Sequence, residues 1–186
     1  MKKVFLDANV LYSGTCRSLF IWLHTNKVVE IYWSRSAWDE VFRNYEKNSG
    51  AEAGARFQGS MQKNAIDKFP EHMVRVDSFI PVGLKDKDDE HILAAAVQAN
   101  ADFLLTNDVI LLSEKLSEKF NIKLVKPDDF LVDEAALYSP QAIKQSVNDH
   151  ISSLANTKPS MSDYLESFKK SQLVRFAAWL EGCFQN

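Results

Sequence analysis

ADFLLTND, residues 101–108, is an apolar run that ends on a hydroxyl, an amide and a carboxylate in immediate succession. A short, continuously apolar run predicts a strand that is covered on both faces, as in a parallel sheet. Lys3-Val4-Phe5-Leu6 has the same form and is followed by Asp7-Ala8-Asn9. Two buried strands that each end on compact oxygen-bearing side chains predict a site at the strand ends.

The rest of the chain alternates between strand and helix patterns. Strands are expected at 3–6, 28–33, 73–79, 102–105 and 122–125, and helices at 19–23, 36–49, 53–69, 91–100 and 113–120. This alternation predicts an α/β fold with a mostly parallel central sheet. Only helical patterns follow residue 130, so we expect an α/β domain over 1–130 and an all-helical C-terminal extension over 131–186.

Composition gives only broad bounds. The chain has 186 residues, of which 46% are hydrophobic and 25% charged, which is typical of a globular protein. It shows no signal-peptide pattern and no apolar run near the roughly 20 residues of a membrane span, so a cytoplasmic location is expected. Cys16 and Cys183 are far apart and predict two free thiols. The net charge of −3 argues against binding of nucleic acid by a large basic surface alone.

Four acidic residues have a topological reason to converge. Ligands of open α/β sheets gather outside the carboxyl ends of the strands. Asp7 and Asp108 follow strands, whereas Glu40 and Asp89 lie in the first turns of predicted helices, which begin at the same edge. Four unpaired carboxylates would repel each other and raise each other's pKa values. The pattern therefore predicts bound cations.

An all-oxygen ligand set without His or Cys favours Mg²⁺ or Mn²⁺ over zinc. Neutralising these four acids would leave 21 acidic residues against 22 basic ones, changing the net charge from −3 to +1. Such a surface no longer repels a phosphate backbone.

Ordinary structural roles compete with this interpretation. Ser36-Ala37-Trp38-Asp39 has the form of a capping box, which assigns Asp39 to the helix start and leaves Glu40 as the candidate ligand. The acids of the run 86–90 could simply stabilise the N-terminus of a helix. Thr106 and Asn107 could be turn residues. His91 begins an apolar helix face and is expected to be structural.

The motifs resemble, in order, those of the PIN-domain family. They are Asp7-Ala8-Asn9-Val10-Leu11, Glu40 within a Trp-Ser-x-x-x-Trp-Asp-Glu stretch, Asp86-x-Asp88-Asp89-x-His91 before Leu93-Ala94-Ala95-Ala96, and Leu105-Thr106-Asn107-Asp108. The branch it resembles is the VapC type, the toxin ribonucleases of bacterial toxin–antitoxin modules. Residues 131–186 resemble the C-terminal extension of some members, most clearly over 173–180.

The resemblance implies a three-layer αβα domain and an Mg²⁺- or Mn²⁺-dependent endoribonuclease. Asp7, Glu40, Asp89 and Asp108 match the family's metal-binding acids, with Asp88 as the fallback for Asp89. Thr106 and Asn9 match polar positions that would orient the carboxylates or the attacking water. Related sequences often carry another acid after the fourth position, where this chain has Val109, Ile110 and Leu111.

Expected partners are RNA and a cognate antitoxin protein, and a homodimer is one arrangement that the resemblance allows. Two alternatives remain open at this point. A degenerate PIN scaffold would bind RNA or protein without catalysis. An aspartyl-phosphate phosphohydrolase also begins with an aspartate after its first strand, but it needs a second aspartate where this chain has Asn9. The helical extension is expected to pack on the core, with an antitoxin- or subunit-binding surface as the alternative role, and its aromatics Phe168, Trp179 and Phe184 are expected to look exposed.

Overall fold

A computed structural model describes residues 1–76, 84, 89–113, 120–154 and 159–185. Within these ranges the chain forms a parallel sheet of five strands in the order β3-β2-β1-β4-β5. The strands are β1 (Lys2–Leu6), β2 (Val29–Ser34), β3 (Met73–Val74), β4 (Phe103–Leu105) and β5 (Lys123–Val125). The predicted parallel α/β architecture is confirmed, since helices flank this sheet.

The direction in which the strand order runs reverses at β1. The chain moves from β1 to β2 and β3 on one side, then returns to place β4 on the other side of β1. Leu6 is in register with Leu105, and the Asp7 N–H donates to the Leu105 carbonyl at 3.1 Å. The residues that follow β1 and β4 therefore lie side by side, at the switch point where α/β sheets bind ligands.

Eleven α-helices lie within the described residues. They are α1 (Ala8–Tyr12), α2 (Gly14–Thr25), α3 (Arg35–Ser49), α4 (Ala51–Met61), α5 (Glu90–Gln98), α6 (Val109–Ser113), α7 (Pro127–Phe130), α8 (Ala136–Tyr138), α9 (Pro140–Ser153), α10 (Met161–Lys170) and α11 (Val174–Gln185). π-Helical turns extend α4 and α7 over Gln62–Ile66 and Leu131–Ala135, and a 3₁₀ turn covers Pro70–His72.

Two predicted elements extend beyond the described residues. The strand expected over 73–79 is observed as Met73–Val74, and its positions 77–79 are not among those described. Positions 114–119 of the helix expected over 113–120 also lie outside the described ranges. The short helices α1 and α6 were not predicted, although an aspartate immediately precedes each of them.

The helical extension packs against α2. Asn26 donates to Asp149 at 2.9 Å and to Ser146 at 3.2 Å, which holds α9 to the end of α2. Phe168 and Phe176 are fully buried in the same hydrophobic core as the sheet. The expectation that Phe168 is exposed was wrong, because α10 packs on α11 and the Phe168 ring lies 5.5 Å from that of Phe176, whereas Phe184 is partly exposed.

Arg175 and three aspartates hold the last helix in place. The two carboxylate oxygens of Asp128 accept from the Arg175 and Phe176 N–H groups at 2.9 and 2.8 Å, which caps the start of α11. The Arg175 guanidinium pairs with Asp129 and Asp133, each at 2.6 Å. The contacts to Asp128 and Asp129 span residue 130, so the extension is attached by polar contacts as well as by the core.

A buried histidine makes this packing dependent on pH. His150 lies in α9 with its Nδ1 at 2.7 Å from the Tyr164 hydroxyl, and burial lowers its pKa from 6.5 to about 4. The unfolded chain therefore binds a proton at His150 below about pH 6.5, whereas the folded chain binds it only below about pH 4. The free energy of unfolding should fall by roughly 3 kcal/mol over that interval.

Urea denaturation between pH 7 and pH 4 measures this dependence. The His150→Gln variant, which has no imidazole to titrate, should show a correspondingly flatter decline than the wild type. Equal slopes for the two proteins would contradict the assigned cause.

None of the helices in the described ranges combines the length and the apolar character needed to cross a membrane.

Candidate active site

Asp7 is the centre of a hydrogen-bonded cluster at the switch point. Its Oδ1 accepts from the Ala8 N–H at 2.6 Å and so caps α1. Its Oδ2 accepts from the Thr106 hydroxyl at 2.6 Å and from the Asn9 amide at 2.5 Å. Only 7% of the residue is exposed. Three donors from two adjacent strand ends fix this one buried carboxylate, an arrangement that a solvated strand terminus would not need.

Thr106 joins the two strand ends. Its buried hydroxyl donates to Asp7 and accepts from the Asn9 amide at 2.9 Å and from the Asp108 N–H at 3.0 Å, which uses its full hydrogen-bonding capacity. The Asn9 side-chain oxygen accepts from the Asn107 N–H at 3.0 Å. The polar residues after β1 and β4 thus form one connected network.

Asp108 is oriented by the helix that follows it. Its Oδ1 accepts from the Ile110 N–H at 2.7 Å and the Leu111 N–H at 3.0 Å, at the start of α6. Val109, Ile110 and Leu111, which stand where related sequences often carry another acid, form the first turn of α6. Leu111 is buried in the core.

Glu40 reaches the same region from the second turn of α3. Its charge raises the pKa of Asp7, as does the charge of Asp108, so both carboxylates lie close enough to act on Asp7. The predicted capping box was wrong. Ser34 caps α3 by accepting from the Ala37 N–H at 3.1 Å, and Asp39 instead pairs with Arg35 at 3.0 Å.

Asp89 lies at the position that precedes α5, and its side chain does not cap that helix. Helix α5 contacts β2, β4 and α3, which are the elements that carry or precede the other acids. Asp86 and Asp88, and with them the fallback assignment to Asp88, are outside the described residues. The structure therefore joins Asp7, Asn9, Thr106 and Asp108 by hydrogen bonds and Glu40 by charge, and it places Asp89 at the start of an adjacent helix.

Burial is the largest influence on Asp7 and raises its pKa above the ordinary value. The charges of Glu40 and Asp108 raise it further, while the hydrogen bonds from Thr106 and Ala8 lower it. An ionised carboxylate in this position is costly unless a positive charge compensates it. The donors keep the side chain in the orientation that an ionised group prefers.

Among the described residues, no group of three or more His, Cys, Asp or Glu side chains stands in a metal-holding arrangement. The hydrogen bonds explain this, because Asp7 and Asp108 each direct oxygens at backbone amides or at Thr106 and Asn9. Mg²⁺ usually keeps several waters and needs only one or two protein carboxylates. Asp7, Glu40 and Asp108 offer only oxygen donors, and this chemistry suits a hydrated Mg²⁺ or Mn²⁺ ion that one or two of them would contact directly.

Sequence reasoning missed the backbone groups of this site. The N–H groups of Ala8, Asn107 and Ile110 each bind one of its polar side chains. An aspartate directly before a short apolar run, as in Asp7-Ala8-Asn9-Val10-Leu11, is an N-cap signal that could have predicted α1 and its contact to Asp7.

Removing the Thr106 hydroxyl should impair the ribonuclease activity that the sequence resemblance implies, without unfolding the protein. In the Thr106→Val variant Asp7 loses a donor, and we expect activity to fall by about 10- to 100-fold, as for groups that orient metal ligands. Thr106→Ser should retain most of the activity because it retains the hydroxyl. Rates on a labelled RNA measure the effect, and Thr25→Val, which removes an exposed helical hydroxyl bonded to the Ile21 carbonyl, is the control. Equal rates for Thr106→Val and Thr25→Val would contradict the role of Thr106.

Comparison with known proteins finds two family models along the chain. The model described as PIN domain matches residues 3–110, and the model described as VapC50 C-terminal domain matches residues 127–182. A curated protein of Mycobacterium tuberculosis (strain ATCC 25618 / H37Rv), named "Putative ribonuclease VapC50", is 38% identical over 50 residues. That match covers 27% of this chain and 30% of that protein's length. No solved structure matches the chain.

Proposed function

The chain belongs to the PIN-domain family, in its VapC-type branch with a C-terminal extension, and on that premise we propose that it is a metal-dependent endoribonuclease that cleaves RNA phosphodiester bonds. The observation that carries this proposal is the buried Asp7, repelled by Glu40 and Asp108 and oriented by Thr106 and Asn9. Such a cluster of ionised acids is stable with a bound cation.

The proposed ligands of Mg²⁺ or Mn²⁺ are Asp7, Glu40, Asp89 and Asp108. When bound, such an ion would activate a water for in-line attack on phosphorus and stabilise the developing negative charge. Thr106 and Asn9 hold the Asp7 carboxylate in one orientation, which limits the reorganisation needed when substrate and ion bind. Asp108, fixed by the first amides of α6, presents its carboxylate from the adjacent strand end.

In the cell, we propose that the protein is the toxin of a type II toxin–antitoxin module and acts in the cytoplasm with a cognate antitoxin. Growth measurements test this role. Expression of the chain alone should arrest growth, co-expression with the product of the adjacent open reading frame should restore it, and the Asp7→Asn variant should be harmless. Normal growth during expression of soluble, RNA-cleaving wild-type protein would contradict the toxin role.

The runner-up function is a degenerate PIN scaffold that binds RNA or protein without catalysis. The presence of the acids together with their orienting hydroxyl and amide favours the enzyme, because a binding module has no need for an oriented, buried carboxylate. Absence of metal-dependent cleavage by protein that still binds RNA would favour the degenerate scaffold.

We also propose the division into a nuclease domain over 1–130 and a helical extension over 131–186. The contacts of Arg175 and the burial of Phe168 indicate that the extension stabilises the nuclease domain. Deletion of 131–186 would therefore expose core surface, and a test for antitoxin binding is better made with substitutions of exposed extension residues such as Leu137 and Tyr138.

A further inference from the structure

Two adjoining cavities lie at the carboxyl ends of β2 and β3. Their volumes are about 500 and 600 Å³, and Arg35 and Arg75 line both of them. We name the combined cavity the arginine trough, with Ser36 and His91 in its first part and Gln62 and Asp67 in its second. Because Arg35 and Arg75 line both cavities, the two cavities adjoin each other along these side chains.

The arginine trough opens on the edge of the sheet that carries the candidate active site. Ser34, which ends β2, is in register with Val74, so Arg75 follows β3 much as Asp7 follows β1. With neighbouring strands about 4.8 Å apart, β3 lies roughly 10 Å from β1. On α3, Ser36 in the trough and Glu40 near Asp7 are four residues apart and share one face of the helix.

The charged groups of the trough suit a phosphate chain. A guanidinium binds phosphate through paired N–H groups in a planar fork. Arg35 uses its Nε to bind Asp39, and both side chains are about half exposed, so the pair is weak and a phosphate can compete for it. The backbone of Arg75 is fixed by a hydrogen bond from Gln98 to its carbonyl at 2.7 Å. Asp39 and Asp67 oppose anion binding.

Building on the proposed ribonuclease activity, we propose that the arginine trough holds the RNA backbone on one side of the scissile phosphate. Arg35 and Arg75 are positioning residues that each contact a phosphate of the bound strand. Asp39 competes with RNA for Arg35 and thereby limits the affinity.

The binding of a labelled, short single-stranded RNA to the full chain tests this proposal. Fluorescence anisotropy across a series of salt concentrations is measured in Ca²⁺, which neutralises the acids but does not share the strict octahedral coordination of Mg²⁺, so that binding is separated from cleavage. Arg35→Gln and Arg75→Gln should each weaken binding about fivefold and lower the slope of log affinity against log salt by about 0.7. Arg56→Gln, which removes a similarly exposed arginine paired with Glu52 on α4, should change the affinity less than about twofold.

Asp39→Asn should have the opposite effect on the affinity for RNA. It releases Arg35 and should strengthen binding about twofold to fivefold, whereas the matched Glu52→Gln variant should have little effect. In cleavage assays, loss of either trough arginine should raise KM and leave kcat nearly unchanged, because these residues do not touch the reacting atoms.

The outcomes separate this proposal from the ribonuclease proposal. Wild-type cleavage together with unchanged binding by Arg35→Gln and Arg75→Gln would overturn the trough and leave the ribonuclease. Arginine-dependent binding without any metal-dependent cleavage would leave the trough and overturn the ribonuclease. Absence of RNA binding by the folded wild-type chain would overturn the trough as well.

Discussion

The Asp7→Asn variant should lose RNA cleavage by about a thousandfold or more while remaining folded. A divalent ion supplies several kcal/mol of stabilisation to the transition state, and about 1.4 kcal/mol corresponds to a factor of ten in rate. The substitution removes the carboxylate at the centre of the site. It also removes a buried charge that Glu40 and Asp108 repel, so the folded state should not suffer much from it.

Cleavage of labelled RNA in Mg²⁺ or Mn²⁺, together with a thermal melt, measures both parts of this result. Asp102→Asn is the matched control. Asp102 lies just before β4, at the opposite end of the strand from Asp108, and binds the Lys3 N–H at 2.8 Å. Wild-type activity in the Asp7→Asn variant would rule out Asp7 as a metal ligand.

The Asp89→Asn variant should lose activity by a similar factor, about a thousandfold. Asp89 precedes α5, which leads into β4, and a helix that leads into a parallel strand begins at the carboxyl edge of the sheet, where the site lies. A thermal melt of the variant checks that it is folded. The same rate assay measures the effect.

The Asp88→Asn variant decides whether Asp88 or Asp89 is the metal ligand. We expect its activity to stay within about threefold of the wild-type activity. Loss of activity in Asp88→Asn but not in Asp89→Asn would move the ligand role to Asp88. Retained activity in both variants would contradict a four-carboxylate site.

Much of the fold followed from local sequence pattern. The continuous apolar runs before Asp7 and after Ala101 can be buried on both faces only in a covered parallel sheet. The helical stretches between them supply that cover. Because parallel strands direct their carboxyl ends to one edge, the proximity of Asp7, Asn9, Thr106 and Asp108 followed from topology alone. Their hydrogen bonds confirm that proximity.

Other features depend on contacts that are remote in sequence. The start of α3 was misplaced because Ser34 and Ser36 are both acceptable caps, and the end of β2 selects Ser34. Phe168 was expected to be exposed because the local pattern does not show that α10 packs on α11, where Tyr164 and Phe176 enclose its ring. Arg35 and Arg75 line the same cavities only because β2 pairs with β3. The described part of β3 has just two residues, too few for a clear sequence pattern.

The central claim is that folding brings the acids together to hold a divalent ion, and Mn²⁺ binding measured by calorimetry or electron paramagnetic resonance tests it most directly. The wild-type chain should bind Mn²⁺, and Asp7→Asn, Glu40→Gln, Asp89→Asn and Asp108→Asn should each weaken binding about tenfold or more. Binding by Asp102→Asn should match the wild type. Absence of Mn²⁺ binding by the folded wild-type protein, or equal affinity in all four site variants, would contradict the claim.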